Sequence, residues 1–252
     1  MTSKSEPRVP PVPRLAMVLA AGLGKRMRPY TETLPKPLVR VAGRTLIDRV
    51  LDRFAAIDIE RVVVNVHHHH AQMEAHLAAR VRPPIVLSPE SELLETGGGV
   101  AHALPLLGPV PFYVANADNL WLDGRTPALL RLASAWDDSK MDALLLLNSG
   151  ATAFGYDGLG DFFLDPLGRM RRRKGGEVAP FVYAGVHILH PRLMRDVPSG
   201  AFSLNLLWDR AQGEGRLWGV AHDGQWFHVG TPDGLAIAKA ELGPPRPRAA
   251  AQ

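Results

Sequence analysis

Near its start the chain carries Gly22-Leu23-Gly24-Lys25-Arg26-Met27-Arg28-Pro29, then Thr31, then Leu34-Pro35-Lys36-Pro37-Leu38. Two glycines let a backbone come close to a ligand, and successive N–H groups in such a loop can converge on phosphate oxygens. Arg26 and Lys36 add positive charge at reachable spacing. Prolines on both sides of Lys36 predict an extended segment that aims its ammonium. These residue types suit binding of a phosphorylated ligand. The loop lacks the Gly-Lys-Ser/Thr ending of a P-loop. Met27 stands where GxGxxG needs its third glycine, which disfavours a dinucleotide fold.

Three further groups could do chemistry. Asn116-Ala117-Asp118 closes an apolar run. A carboxylate at the C-terminal end of a strand faces the crevice where open α/β sheets bind ligands, and Asp is a hard oxygen donor suited to Mg²⁺. Leu94-Glu95-Thr96-Gly97-Gly98-Gly99 puts three glycines before an expected helix. A flat ring could lie against that backbone while free amides read its edges. His67-His68-His69-His70 invites a metal reading, but consecutive strand residues point to opposite faces, so a solvated strand-end loop is the expectation.

These groups need a scaffold. Leu15–Ala21 is a continuous apolar run ending in glycines, the mark of a strand buried on both faces. Strands are expected also at 61–66, 85–87, 112–116 and 142–147. Helices are expected at 45–57, 71–79, 99–107 and 126–136. This alternation predicts a mostly parallel sheet with helices on both faces. The second half, with strands at 162–164, 181–188 and 217–220, reads as a mixed, partly antiparallel region forming a lid. Residues 1–13 and 243–252 are Pro-rich and aperiodic, so disordered tails flanking one domain at 14–242 are expected.

Composition narrows the class. The chain has 252 residues, 46% of them hydrophobic, enough for an ordinary core. It has no Cys, which excludes a disulfide scaffold, a cysteine nucleophile and thiolate metal sites. No apolar run approaches the ~20 residues of a membrane span, and no secretory h-region precedes the body. A cytoplasmic protein without membrane or nucleic-acid partners is expected. The net charge of +4 is partly local, in Arg171-Arg172-Arg173-Lys174 and the tail arginines. Nucleic acid would require a wider basic stripe with aromatics. The Arg171–Lys174 run reads as a solvated loop, or as a feature that steers an anionic small substrate.

The first string resembles the GxGxRxxPxTxxxPKP signature of sugar-1-phosphate nucleotidyltransferases, a likeness that runs from Leu15 to about Leu242. It implies a Rossmann-like α/β/α sandwich with a mixed, mostly parallel sheet. It also implies an enzyme that joins a nucleoside triphosphate to a sugar 1-phosphate and releases pyrophosphate. On that resemblance Arg26, Lys36 and Asp118 would be catalytic, with Asp118 binding Mg²⁺ (Mn²⁺ being the alternative ion). Ala20, Ala21, Gly22, Gly24, Lys25, Glu95, Gly97, Gly98 and Asn116 would bind nucleotide. Asp161, in a string similar to the family's GDF, Gly185 and Asn205 would meet the sugar. Trp226-Phe227-His228-Val229-Gly230-Thr231 is similar to the family's W-x-D-V-G-T, but His228 stands where the second metal ligand is an Asp. Imidazole suits softer ions than Mg²⁺, so His228 would either bind such an ion or leave Asp118 to act with substrate phosphates, and Asp223 is a nearby substitute. The glycine-rich strings look like the subset represented by N-acetylmuramate-1-phosphate uridylyltransferases of cell-wall recycling. Small mannose-1-phosphate guanylyltransferase-like proteins carry similar strings, and a protein that binds nucleotide sugar without making it also fits, so base and sugar stay open. No hexapeptide repeats occur, so no β-helical acetyltransferase domain is expected, and no signal sets the oligomeric state.

Overall fold

A computed structural model describes residues 13–243. Apart from Pro13 and Gly243, the two expected tails lie outside the described residues. In chain order the elements are β1 (Leu15–Leu19), β2 (Arg40–Val41), β3 (Arg44–Thr45), α1 (Leu46–Ala56), β4 (Arg61–Val66), α2 (His70–Ala78), β5 (Ile85–Pro89), α3 (Glu95–Leu107), β6 (Phe112–Asn116), β7 (Leu120–Leu122), α4 (Ala128–Ala135) and β8 (Ala143–Ser149). There follow β9 (Phe162–Leu164), β10 (Met170–Arg172), β11 (Phe181–Leu189), α5 (Leu204–Gly213), β12 (Leu217–Ala221), β13 (Gln225–Phe227) and α6 (Pro232–Leu242).

One sheet of nine strands runs β10-β9-β11-β6-β1-β4-β5, with β8 paired to β11 and β12 to β8. β6, β1, β4 and β5 are parallel. β11 is antiparallel to both β6 and β8. The expected lid is therefore corrected: 162–164, 181–189 and 217–221 extend the same sheet. After β1 the chain passes through α1 to β4, toward one edge of the sheet, whereas after β6 it passes through β7 and α4 to β8, toward the other. The loops after β1 and β6 thus diverge and leave a crevice at their C-terminal ends. The glycine loop and Asp118 occupy those two ends.

Alternation along the strands explains the two layers. Ala16 and Val18 of β1 face one core with Ile47, Val50, Leu51 and Phe54 of α1 and Leu129 and Leu132 of α4. Met17 faces the other core with Val100, Ala103 and Leu107 of α3 and Leu207, Trp208 and Ala211 of α5. α1 starts where expected because Thr45 caps it, its Oγ1 accepting from the Asp48 N–H at 3.2 Å. A third cluster joins Met27, Val39 and Leu120 to Phe227, Val229 and Leu235. It seats the glycine loop against the C-terminal segment of the described chain.

Candidate active site

The glycine loop is pinned from several sides. The Ala20 N–H donates to Asn65 Oδ1 at 2.8 Å in a buried bond. Asn65 Nδ2 donates to Glu90 Oε1 at 2.7 Å, and Glu90 Oε2 accepts from the Leu94 N–H at 3.1 Å. Gly24 has φ of +63°, and a Cβ there would lie 3.1 Å from Thr31 Cγ2 and 3.2 Å from Lys36 Cβ. The Thr31 hydroxyl closes the turn by donating to Gly24 O at 2.8 Å. Lys25–Met27 forms one 3₁₀ turn. Met27 is its buried anchor, which leaves Lys25 and Arg26 exposed on its outer side.

Lys36 differs from the expectation. It opens a 3₁₀ turn, Lys36–Leu38, and only Pro35 before it is extended. Pro37 and buried Leu38 fix this turn, and the Lys36 ammonium still reaches the Asp118 carboxylate in an ion pair. Asp118 lies just past the C-terminus of β6. Its neighbour Asn119 donates to Ala184 O at 2.6 Å and accepts from Trp226 Nε1 at 3.0 Å. The turn is thereby tied to β11 and β13.

Two cavities meet at this ion pair. The larger, about 620 Å³, is bordered by Ala20, Ala21, Gly22, Gly24 and Lys25 of the loop, by Asn65, Glu95 and Thr96, and by Asn116. Glu95 opens α3 with φ of +58°, a strained conformation of the kind that gathers at functional sites. The smaller, about 260 Å³, is bordered by Tyr156, Asp161, Tyr183, Gly185, Trp226 and His228. Arg26, Lys36, Asn116, Asp118 and Gly230 border both. The seam thus carries two cations and one carboxylate between a large chamber and a small one.

Several residues sit differently from the sequence expectation. α3 begins at Glu95 rather than Gly99. Gly97 and Gly98 lie inside its first turns, and both N–H groups donate to Phe202 O, at 2.8 and 3.1 Å. A Cβ on Gly97 would sit 2.4 Å from the Phe202 ring, and one on Gly98 2.3 Å from Gly200 O. These glycines admit the 200–204 segment, and their amides are engaged there instead of facing the chamber. Asp223 is no substitute ligand: it pairs with Arg131 and packs on Gly124, bordering neither cavity. Asn205, in the first turn of α5, borders a third cavity instead of the small chamber. Gly185, at φ of +79°, marks the register shift of β11 and leaves room for the Asn119 amide, 2.8 Å from where a Cβ would be. His67 Nδ1 contacts Glu90 O at 3.0 Å. Among the described residues no three His, Asp or Glu side chains form a metal cluster.

Asp161 follows Gly160, whose φ of +71° and 2.0 Å approach of a would-be Cβ to Ala179 O demand glycine. Its carboxylate accepts the Tyr183 N–H at 2.9 Å. The His228 ring lies over Gly230, where a Cβ would come within 2.3 Å of Nε2. Burial, and then the Lys36 and Arg26 charges, push the His228 pKa below the usual histidine range against the pull of Asp118 and Asp157. Burial thus favours the neutral ring, the form that ligates metals. Burial, then Asp161, raises the Tyr156 phenol, whose oxygen accepts from the Gly160 N–H at 2.9 Å.

Asn65, Thr96, Tyr156 and Asn119 are site residues the sequence reading does not single out. Asn65 had a signal, as the polar interruption of Val62-Val63-Val64-Asn65-Val66. Tyr156 and Asn119 had none beyond residue type.

This geometry matches what sequence comparison finds. A profile of the MobA-like NTP transferase domain matches residues 16–217. The chain belongs to this family and is a nucleotidyltransferase of the sugar-1-phosphate type. It is 49% identical over 235 residues to N-acetylmuramate alpha-1-phosphate uridylyltransferase of Caulobacter vibrioides, covering 91% of this chain and 97% of that protein. It is 36% identical to the protein of the same name from Neisseria meningitidis serogroup B, covering 90% and 98%. Among solved structures, a UDP-glucose pyrophosphorylase complexed with UDP-glucose superposes with a TM-score of 0.73 at 15% identity, covering 90% of this chain and 97% of that one. The fold is thus that of the nucleotide-diphospho-sugar transferases. Among the described residues no helix is long and apolar enough to cross a membrane.

Proposed function

We propose that this enzyme, acting through one domain at 14–242, transfers the uridylyl group of UTP to N-acetylmuramate α-1-phosphate and releases pyrophosphate. The observation that carries this is the seam. A chamber of about 620 Å³ and one of about 260 Å³ share Arg26, Lys36 and Asp118. Two phosphorylated substrates of unequal size would meet there with their phosphates against the same cations. The choice of base and sugar is supported by the two full-length relatives of that activity.

In this reading the nucleotide occupies the larger chamber. Its triphosphate lies on the Ala20–Lys25 loop and its base toward Asn65, Glu95 and Thr96. The sugar occupies the smaller chamber between Tyr156, Asp161 and Trp226. A sugar-phosphate oxygen attacks the α-phosphorus in line. A new P–O bond forms, the α–β bridging bond breaks, and pyrophosphate leaves with the electron pair. The nucleophile is already anionic, so no side chain need take a proton. Catalysis is positioning and charge neutralisation by Arg26 and Lys36.

Two donors that border the small chamber fit a divalent ion: Asp118 at the seam offers a hard carboxylate oxygen, and His228 an imidazole nitrogen. Asp118 and His228 would hold it, with Mg²⁺ or Mn²⁺ completed by phosphate oxygens. When bound, such an ion supplies further charge neutralisation on the phosphates. The Asp118 carboxylate, which pairs with the Lys36 ammonium, would then be shared between that ammonium and the ion.

A panel of UTP and GTP against N-acetylmuramate, N-acetylglucosamine and mannose 1-phosphates, read by pyrophosphate release, tests the proposal. UTP with N-acetylmuramate 1-phosphate is expected to give the highest kcat/KM. Preference for GTP with mannose 1-phosphate, or binding without turnover, would overturn it.

A further inference from the structure

The Arg171–Lys174 run is not a uniformly solvated loop. Arg171 pairs with Glu177 at 2.8 Å, and Arg172 with Asp209 at 2.6 Å. Arg173 is held differently. Its Nε donates to Gly160 O at 2.7 Å and its Nη1 to Glu177 O at 3.4 Å, both neutral carbonyls. Among the described residues neither the Arg173 nor the Lys174 side chain forms an ion pair, although the Lys174 backbone N–H donates to Glu177 Oε2 at 2.6 Å. Two of the four charges are thus neutralised, and two are left over.

Those two border a third cavity, about 480 Å³, together with Asp161, Arg172, Tyr183 and Trp208. Asp161 and Tyr183 also border the small chamber at the seam. The small chamber thus adjoins the cationic seam on one flank and, at Asp161 and Tyr183, an alcove whose lining sets Arg173 and Lys174 against the single Asp161 carboxylate. In the proposed reading, a sugar whose anomeric phosphate sits at the seam would have its far edge within the small chamber, toward Asp161, Tyr183 and the alcove beyond them. Arg173 is also held firmly, because its N–H donates to Asp161 O at 2.8 Å. That backbone bond and the Nε bond to Gly160 O together hold the guanidinium to the segment that lines the small chamber.

We infer that this alcove is the specificity subsite for an acidic substituent on the sugar, with Arg173 as the residue that reads its carboxylate and Lys174 as a supporting charge. The inference rests on the proposed function, since N-acetylmuramate differs from N-acetylglucosamine by a lactyl ether carrying one carboxylate. A fixed guanidinium held by neutral carbonyls and without an ion-pair partner is the group suited to a carboxylate. A neutral sugar would leave it facing water in the alcove.

The test measures kcat/KM with UTP for N-acetylmuramate 1-phosphate, its lactyl carboxamide and N-acetylglucosamine 1-phosphate, in the wild type, Arg173→Gln and Arg173→Lys. The wild type should favour the acid over the carboxamide by about 10- to 100-fold, the range of a charged hydrogen bond. Arg173→Gln should lose about that factor on the acid, at least ten times more than on N-acetylglucosamine 1-phosphate. Most of the loss should appear in KM, and Arg173→Lys should recover part of it. The carboxamide needs no variant, so the prediction stands even where Arg173→Gln folds poorly. A wild type that prefers the acid over N-acetylglucosamine 1-phosphate but loses equally on all three substrates in Arg173→Gln overturns the inference and leaves the parent reading intact. A wild type that uses the acid and the carboxamide equally, both better than N-acetylglucosamine 1-phosphate, likewise overturns only the inference, whereas one that prefers N-acetylglucosamine 1-phosphate overturns both.

Discussion

Lys36→Met separates catalysis from folding. The Lys36 side chain is 11% exposed and its partner Asp118 34% exposed. Removing the ammonium leaves Asp118 in contact with water, so the stability lost is at most about 1 kcal/mol, as for a partly solvated pair. For a chain of this size that lowers Tm by roughly 2–4 °C. The catalytic cost is larger. A unit charge about 4 Å from developing phosphate charge is worth roughly 4 kcal/mol at an effective dielectric near 20, about three decades of rate. Part of that attraction is already felt by bound substrate, so kcat should fall by about 10²–10³. The assay is steady-state pyrophosphate release beside a thermal melt. A Lys36→Met enzyme with kcat within tenfold of wild type would refute the reasoning. So would a melt lowered by more than about 10 °C, because the lysine would then be holding the fold.

Three other outcomes follow from the structure. His228→Asp replaces a nitrogen donor with a hard oxygen, so Mg²⁺ affinity by calorimetry should rise and activity with Mg²⁺ relative to Mn²⁺ should increase; an unchanged metal profile removes His228 from the metal site. Burial lowers the His187 pKa to about 3, and its Nδ1 meets the Tyr183 hydroxyl at 2.7 Å. The unfolded chain therefore binds one more proton between about pH 6.5 and 3. This contribution to stability is complete above pH 6.5 and falls by up to about 1.4 kcal/mol per pH unit on acidification; urea melts at pH 7, 6 and 5 should show a slope shallower by one proton in His187→Phe. Asn65→Ala strands the buried Ala20 N–H and Glu90 Oε1, which should cost about 2–4 kcal/mol and lower Tm by roughly 5–15 °C; a melt within 2 °C of wild type would show that the network does not hold the glycine loop.

The parallel half of the sheet was legible because its strands are short apolar runs between punctuating residues. Arg61–Val66 and Phe112–Asn116 occupy the expected positions residue for residue. The second half was harder. Short strands such as Leu120–Leu122 and Gln225–Phe227 take their identity from pairing with each other across a hundred residues, which no local window contains. α5 had a signal in Leu204, Leu207, Trp208 and Ala211, spaced for one helix face behind the capping Ser203, but the strand-rich reading of its surroundings passes over it. At the site, the glycine loop, Lys36 and Asp118 were legible because their types are unusual at that spacing. Gly97 and Gly98 misled because glycine serves close packing as readily as ligand approach. Here Phe202 and Gly200, a hundred residues away, decide between the two.

The joint between Gly97, Gly98 and Phe202 also bears on how the enzyme can be altered. Ser203, one residue beyond that joint, borders the large chamber, and Asn205, two further on, borders the alcove. Under the proposed assignment of the cavities, reshaping the acceptor end through the first turn of α5 would also move the donor end. The Arg172–Gly175 stretch borders the alcove without touching the large chamber. It is the place to graft new acceptor tastes while donor affinity is left alone.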